Sequence, residues 1–399
     1  MKRLLLLGGA RYALPVIEAA HKLGIYVITC DYLPDNIAHK YSDEFANVSI
    51  IEKDAVLVKA KELKIDGIMS FACDPGVVTA AYVAEKLNLP SCGSYNSVSI
   101  LQNKGLFRQF LKDNGFNVPT AGHYSSIEEA LHDKKKFKGS VIVKPVDSAG
   151  SKGVTRVDDL NNLEKSINHA LSFSHCNEFI IEDFIEKKGC SSDTDCFSVD
   201  GELKFVSFSN QYFDQNAENA YTPSAYCWPS TMPTIRQQEL AEEIQRLIKL
   251  LNLGTSIYNI ETREGFDGKA YIMEVSPRGG GNRLAEVLRY ATGVDLITNS
   301  VKASVGLPIS GIEQKPYNGY WAEIILHGDK NGSFKGIKIS EKIQKYLYEE
   351  DLWIKQGDTV ENFSGANKAI GTLVFNFDSQ DLQHEVMQNL NNYVRTIVE

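Results

Sequence analysis

The stretch Ser256-Ile-Tyr-Asn-Ile-Glu261-Thr-Arg-Glu-Gly-Phe-Asp267-Gly268-Lys-Ala-Tyr-Ile-Met-Glu274-Val-Ser276 decides how the middle of this chain folds. Apolar and polar residues alternate on both sides of Asp267-Gly268, and Asp-Gly is a strong signal for a two-residue hairpin turn. With the turn there, Glu261 faces Glu274 and Asn259 faces Ser276. The other face, predicted to be core, holds Tyr258, Ile260, Met273 and Val275.

Two carboxylates that face each other across a hairpin repel by about 3 kcal/mol at roughly 5 Å and an effective dielectric of 20. The repulsion is offset if the charges splay into water, if an arginine lies nearby, or if a hard cation such as Mg²⁺ or Mn²⁺ binds both acids. The next segment, Pro277-Arg278-Gly-Gly-Gly-Asn-Arg283, places an arginine beside the acids and backbone that a ligand can approach closely. It favours an anion site next to a metal site.

A second ligand signal begins with Ser140-Val-Ile-Val-Lys144-Pro, a predicted buried strand. The loop Val146-Asp-Ser-Ala-Gly-Ser-Lys-Gly153 follows, and its N–H groups are suited to phosphate oxygens. It lacks Walker A spacing, and an ordinary flexible hairpin loop is the alternative. Lys144 favours the phosphate-binding loop over the ordinary loop, because a lysine inside an apolar strand needs a negative partner.

Taken together, these segments resemble the ATP-grasp superfamily, in which a nucleotide lies between two α+β subdomains. The resemblance implies that Lys104 and Lys144 contact the phosphates, that Glu261, Glu274 and Ser276 bind Mg²⁺ or Mn²⁺, and that Arg278 lies beside the transferred phosphate. It implies a mobile lid over residues 147–153, including Ser148, Gly150, Ser151 and Gly153. It also implies a hinge that binds adenine through Glu182, Asp183, Phe184 and Ile185.

The chain departs from the family pattern in two places. Ser276 replaces the usual asparagine after the second glutamate, and no counterpart of the ribose-binding glutamate is found near Gly189-Cys-Ser-Ser-Asp193. Asp193 and Asp195 are interpreted as part of a solvated loop, and the alternative is that they face the substrate.

The predicted fold class is α/β and α+β. Residues 1–96 form a doubly wound N-terminal domain, 97–307 an ATP-grasp domain with its lid at about 119–186, and 308–399 a small β-rich α+β unit. Helices are predicted over 97–114, 235–251 and 379–398. The N-terminal βαβ start ends at Asp31, but it lacks the G-x-G-x-x-G fingerprint of an NAD site.

Predicted substrate residues lie at loop ends near the proposed phosphate site. Crevices at the carboxyl ends of parallel strands commonly bind ligands, which points to Cys73, Asp74 and Pro75. The residues predicted to contact the substrate are Asp74, Gly280, Asn282 and Arg283, and Cys73 and Pro75 are expected to help form the pocket.

Composition excludes several classes of protein. The 399 residues are 43% hydrophobic and 23% charged, and a net charge of −9 argues against nonspecific nucleic-acid binding. No apolar run approaches the roughly 18 residues of a membrane span. Seven scattered cysteines suit reduced thiols, so the expected location is cytoplasmic. A homodimer is possible, since dimers are common in similar proteins.

The function that the resemblance implies is an ATP-dependent ligase that activates a small-molecule carboxylate as an acyl phosphate for attack by an amine. An amino-acid or dipeptide ligase fits the Glu-x-Ser-Pro-Arg variant. The alternatives are a carbamoyl-phosphate-synthase-like enzyme that activates bicarbonate or carbamate, and an ATP-binding protein that has lost catalysis.

Overall fold

The computed structural model describes residues 1–148 and 150–399, and Ala149, inside the predicted lid loop, lies outside the described residues. The chain starts with a parallel sheet in the order β3-β2-β1-β4, as predicted for a doubly wound unit. Leu4 and Leu6 of its central strand pack on one face, and Leu5 and Leu7 pack on the other. The elements are β1 (Arg3–Leu7), α1 (Leu14–Lys22), β2 (Tyr26–Asp31), β3 (Glu44–Asn47), α2 (Lys53–Leu63), β4 (Gly67–Ser70) and α3 (Val77–Leu87).

The helix predicted over residues 97–114 is two helices, α4 (Tyr95–Gln102) and α5 (Lys104–Asp113). Asn103 separates them because its backbone is extended, with φ −100° and ψ 112°. Its side-chain oxygen accepts the Leu106 N–H and caps α5. The break places Lys104 at the first turn of the second helix.

An antiparallel sheet in the order β5-β8-β6-β7 follows, within the range predicted for the lid. Alternating residues of β6 and β8, such as Val143 and Ile181, pack against two helices. The elements are β5 (Ala121–Tyr124), α6 (Ile127–His132), β6 (Val141–Pro145), β7 (Thr155–Val157), α7 (Leu163–Leu171) and β8 (Phe179–Asp183).

The next antiparallel sheet, in the order β10-β9-β13-β14, carries the predicted hairpin. Its apolar face packs on α8, where Tyr258 and Ile260 share a core with Leu240 and Leu247. Among the residues described, no helix combines the length and apolar character needed to cross a bilayer. The elements of this part of the chain are β9 (Ser192–Val199), β10 (Glu202–Phe205), β11 (Asn210–Phe213), β12 (Pro223–Trp228), α8 (Thr234–Leu250), β13 (Ser256–Glu264) and β14 (Ala270–Ser276).

The C-terminal sheet has the order β11-β12-β15-β19-β17, so two of its strands come from before residue 307. The predicted domain boundaries stay predictions. A second small sheet has the order β18-β16-β20. The elements are α9 (Leu284–Thr292), α10 (Leu296–Ser304), β15 (Tyr320–Leu326), β16 (Gly332–Ile339), α11 (Glu341–Gln344), β17 (Leu347–Leu352), β18 (Thr359–Val360), β19 (Gly371–Phe377), α12 (Gln380–Gln388), α13 (Leu390–Tyr393) and β20 (Val394–Val398).

The single C-terminal helix predicted over residues 379–398 is wrong. Helical structure ends at Tyr393, and β20 pairs with β16. The β-branched run Val394-Arg-Thr-Ile-Val398 suits a strand, and the available edge of β16 decides the outcome.

Candidate functional site

The two glutamates of the hairpin face each other as predicted. β13 and β14 pair Glu261 with Glu274 and Asn259 with Ser276. The register shifts directly after the glutamate pair, and Met273 is the extra residue of a β-bulge. Met273 therefore leaves the core face where we expected it, and Ile272 packs in the core instead.

The turn of this hairpin differs from the predicted two-residue turn. The Gly268 N–H donates to the Gly265 carbonyl and the Gly265 N–H donates to the Lys269 carbonyl, both at 2.9 Å, which makes a three-residue loop. Gly268 has φ +76°, as a loop of this type requires. With that loop alone Glu261 would face Met273. The bulge restores the facing pair of acids.

Two cations lie beside the glutamate pair. Arg263 Nη2 donates to Glu261 Oε1 at 2.7 Å, and Lys104 Nζ lies 3.9 Å from Glu274 Oε2. The two carboxylate side chains remain 31% and 39% exposed. Among the described residues, the carboxylate of Glu274 accepts no hydrogen bond and forms an ion pair only with Lys104. Two partly exposed carboxylates fit the oxygen donors that Mg²⁺ prefers, with water or phosphate completing the shell.

Lys104 connects the glutamates to the predicted lid loop. Its Nζ donates to the Ser148 carbonyl at 2.8 Å, and its backbone N–H donates to the Val146 carbonyl at 3.1 Å. The first turn of α5 therefore places an ammonium between the loop and Glu274.

Lys144 has the negative partner that its position in a strand required. Its Nζ donates to Glu182 Oε1 at 2.5 Å, and Arg108 Nε donates to Glu182 Oε2 at 2.8 Å. Burial disfavours the Glu182 charge, but Arg108 and Lys144 outweigh it and lower the pKa of Glu182 to about 2. Burial, in turn, lowers the pKa of Lys144. These three residues, the buried triad, link α5 to two strands of the lid sheet.

The predicted adenine hinge is largely engaged within the protein. The Glu182 side chain belongs to the buried triad, and the Asp183 N–H donates to the Thr120 carbonyl at 2.8 Å. The Phe184 N–H donates to the Ser140 carbonyl at 2.8 Å. The Ile185 carbonyl accepts a bond from Arg263 at 3.3 Å. These donors are not free for a base edge, and the adenine role of the four residues stays a prediction.

The predicted lid loop joins β6 to β7. Gly150 and Gly153 have φ of +68° and +70°, and Ser151 has +58°. Ser151 Oγ donates to the Tyr221 carbonyl at 3.1 Å, and Ser148 Oγ donates to the Phe173 carbonyl. Left-handed backbone of this kind can turn N–H groups towards one side, as an anion site needs. Phosphate binding by this loop stays a prediction.

Arg278 makes a two-point ion pair with Asp74. Its Nε and Nη2 each donate at 2.8 Å to one carboxylate oxygen. Burial disfavours the Asp74 charge, but Arg278 outweighs it and lowers the pKa of Asp74. Ser276 Oγ donates to Asp74 at 2.7 Å and accepts from Gln102 at 2.9 Å. Ser276 is only 1% exposed, so this geometry does not support it as a metal ligand.

The glycines after Arg278 allow close contacts between segments. A Cβ on Gly279 would lie 2.2 Å from the Phe71 ring, and one on Gly280 would lie 2.6 Å from Leu284. Gly280 also donates its N–H to Asp195 Oδ1 at 2.8 Å. The glycine run therefore brings the site backbone against the N-terminal sheet.

The other two predicted substrate residues are tied into the protein. Asn282 accepts the Tyr12 hydroxyl at 2.9 Å and donates to the Tyr226 hydroxyl at 3.4 Å. Arg283 binds Glu286 at 3.1 Å and Glu349 at 2.7 Å. Direct contact of Arg283 with a substrate is not supported, because its donors are engaged.

Residues 101–282 match the family model described as the ATP-grasp domain, and this range contains the lysines, the acids and Arg278. The chain contains an ATP-grasp domain. Carbamoyl phosphate synthase large chain of Thermotoga petrophila is 24% identical over 299 residues, which cover 74% of this chain and 27% of that protein. The chain thus spans about a quarter of the length of the curated relatives it matches.

Solved structures share the fold over the whole chain. The L-amino acid ligase from Bacillus licheniformis has a TM-score of 0.81 at 20% identity and covers 100% of this chain and 99% of its own. Phosphoribosylglycinamide synthetase from Anaerococcus prevotii has a TM-score of 0.75 at 20% identity, with 100% of both chains covered. The predicted fold class is confirmed.

Two acids of the ATP-grasp domain, Asp193 and Asp195, do not lie in a solvated loop, so that prediction is wrong. Asp193 and Asp195 lie in β9, on the face that carries the glutamates, with Asp193 opposite Glu261. Burial and then the Glu261 charge raise the pKa of Asp193 to about 6. Burial raises the pKa of Asp195 to about 7. The missed signal for a strand was the alternation of hydroxyl and carboxyl side chains over residues 192–195, followed by strand-favouring Phe197 and Val199.

Proposed function

We propose that the protein is an ATP-dependent ligase that activates a carboxylate as an acyl phosphate, which an amine then attacks. The γ-phosphoryl group moves to a carboxylate oxygen and ADP leaves. The amine nitrogen then attacks the carbonyl carbon, phosphate leaves, and the nitrogen loses a proton. The observation that carries the proposal is the facing pair Glu261 and Glu274, with Lys104 beside it and Arg278 two residues after the end of β14.

The described side chains have distinct tasks in this reaction. Glu261 and Glu274 would hold a Mg²⁺ or Mn²⁺ ion, which supplies positive charge that screens the phosphates from the anionic substrate. Lys104 and Lys144 neutralise the phosphate tail. Arg278 stabilises charge that develops on the transferred group, and Asp74 holds its guanidinium in place. The lid loop excludes water from the acyl phosphate.

The shared fold supports this proposal, since the L-amino acid ligase matches this chain over its full length. The relatives by sequence favour a second candidate, an enzyme that activates bicarbonate or carbamate. Phosphate release from ATP, measured with bicarbonate and with a panel of amino acids, separates the two. An ATP-binding protein without activity would release phosphate with neither.

The variant Glu274→Gln tests the role of the acid pair. We expect loss of ATP turnover with an unchanged melting temperature, because the side chain is partly exposed and keeps its size. Glu242→Gln is the matched control, an exposed acid on α8, and should turn over ATP like the wild type. Near-normal turnover in Glu274→Gln, measured by steady-state phosphate release, would reject the assignment.

A further inference from the structure

Glu323 is a buried carboxylate with no partner. It lies in the middle of β15, is 0% exposed, and neither of its oxygens has a hydrogen-bond partner among the described residues. Whether ionised or protonated, such a group leaves polar atoms unsatisfied. Buried groups of this kind in native proteins call for an explanation such as an ion, a water or a ligand.

The surroundings of Glu323 are short of positive charge. Burial raises the pKa of Glu323, the Arg283 charge lowers it, and the charges of Glu286 and Glu349 raise it further. Glu323 and Glu349 lie on either side of Val374 in the sheet. Arg283 already donates to Glu286, Glu349 and Thr372. Of the three carboxylates around this guanidinium, Glu286 and Glu349 receive its hydrogen bonds and Glu323 receives none, so an added cation would complement Glu323.

Glu323 is also connected to the proposed catalytic centre. It pairs across the sheet with Tyr226, whose hydroxyl donates to Asp193 at 3.0 Å, and Asp193 pairs with Glu261. Glu323, Tyr226 and Asp193 therefore form a continuous row across the strands. The row ends at Glu261, one of the two proposed metal-binding glutamates.

An aromatic pair borders this region from the N-terminal side. Asn282 links Tyr12 to this row, because its amide donates at 3.4 Å to the hydroxyl of Tyr226, the cross-strand neighbour of Glu323. Burial and then the Glu323 charge raise the pKa of Tyr12. The Tyr12 ring meets Trp353 edge-on, with ring centroids 5.9 Å apart and planes at 77°. The Tyr12 hydroxyl donates to Asn282. The Trp353 ring already meets the Arg11 guanidinium, 5.2 Å from its centroid, whereas the Tyr12 ring, close to this acidic row, is suited to an organic cation.

We propose that Glu323, with Tyr12, binds a protonated amino group of the carboxylate substrate. This inference rests on the proposed ligase function and names its substrate class, an amino acid or a similar compound that carries both a carboxylate and an ammonium group. An ammonium group satisfies both oxygens of Glu323 through charge-assisted hydrogen bonds. Bicarbonate offers Glu323 no donor of this charge.

Paired carboxylates that differ by one amino group test the proposal. L-Alanine is compared with propionate and L-lysine with L-norleucine, with hydroxylamine as the common nucleophile and phosphate release as the measurement. In the wild type, kcat/KM should be about 10-fold or more higher for the ammonium-bearing member of at least one pair. Equal kcat/KM values within both pairs would overturn the proposed ammonium site at Glu323. The proposed ligase function would be unaffected.

The variant Glu323→Gln should remove that preference by raising KM for the ammonium-bearing member of the pair. KM for the other member of the pair and KM for ATP should stay unchanged. If Glu323 had a merely structural role, the variant would change KM for all substrates together. Glu323→Asp, which keeps the charge, should retain part of the preference, and exposed Glu350→Gln should retain all of it. Persistence of the full preference in Glu323→Gln would overturn the proposal. Absence of phosphate release with every carboxylate would overturn the ligase function and the pocket together.

Discussion

Glu182→Gln removes the central charge of the buried triad and leaves Lys144 and Arg108 facing a neutral side chain. Glu182 is 3% exposed, and its partners lie at 2.5 and 2.8 Å. Removal of one member of a buried ion pair costs about 3–5 kcal/mol. The pKa of Glu182 leads to a similar figure, because a fall from 4.5 to about 2 corresponds to about 3 kcal/mol at 1.36 kcal/mol per pH unit.

The sign of the pH dependence follows from the lowered pKa. The stabilisation by Glu182 is complete above the unfolded value of 4.5 and is lost as the pH falls towards about 2. Glu182→Gln should lack this contribution at every pH. In the variant, stability should therefore fall less steeply than in the wild type between these two values.

Hydrogen exchange of peptides that cover β6 and β8 measures the local opening free energy in the lid sheet. At neutral pH we expect exchange in Glu182→Gln to be roughly 10²–10⁴-fold faster, from the same 3–5 kcal/mol. Glu178→Gln, on the same segment but partly exposed, is the control and should change the opening free energy by about 0.5 kcal/mol or less. A similarly small change in Glu182→Gln would refute the reasoning.

Two further predictions concern the phosphate tail and the glycine run. Lys144→Ala should weaken ATP binding by roughly 10- to 150-fold, because one charged contact is lost. Calorimetry measures the affinity, with the exposed Lys138→Ala variant as control. An unchanged affinity would mean that Lys144 does not contact the nucleotide. Gly279→Ala should lower stability by about 1–3 kcal/mol because its Cβ would lie 2.2 Å from buried Phe71. Gly281→Ala, with its nearest neighbour at 3.7 Å, should melt close to the wild type, and equal melting of the two variants would contradict the clash.

The sequence predicted those features whose causes are local. Alternation on both sides of Asp267-Gly268 predicted the hairpin, because period two and a turn dipeptide act over a few residues. An apolar strand around Lys144 predicted that a negative partner exists, because a buried ammonium needs one. The order of the motifs along the chain predicted the fold class.

Tertiary structure decided the features that depend on distant segments. The bulge at Met273 restores the facing glutamates after a three-residue loop displaces them, and no local pattern marks it. Glu182 and Arg108 meet Lys144 only when α5 packs on the lid sheet, and β20 forms because β16 offers it an edge. Burial of Glu323 likewise arises from strands and helices far apart in sequence. The free energy of a charge depends on what surrounds it in space, and that environment exists only after the chain has folded.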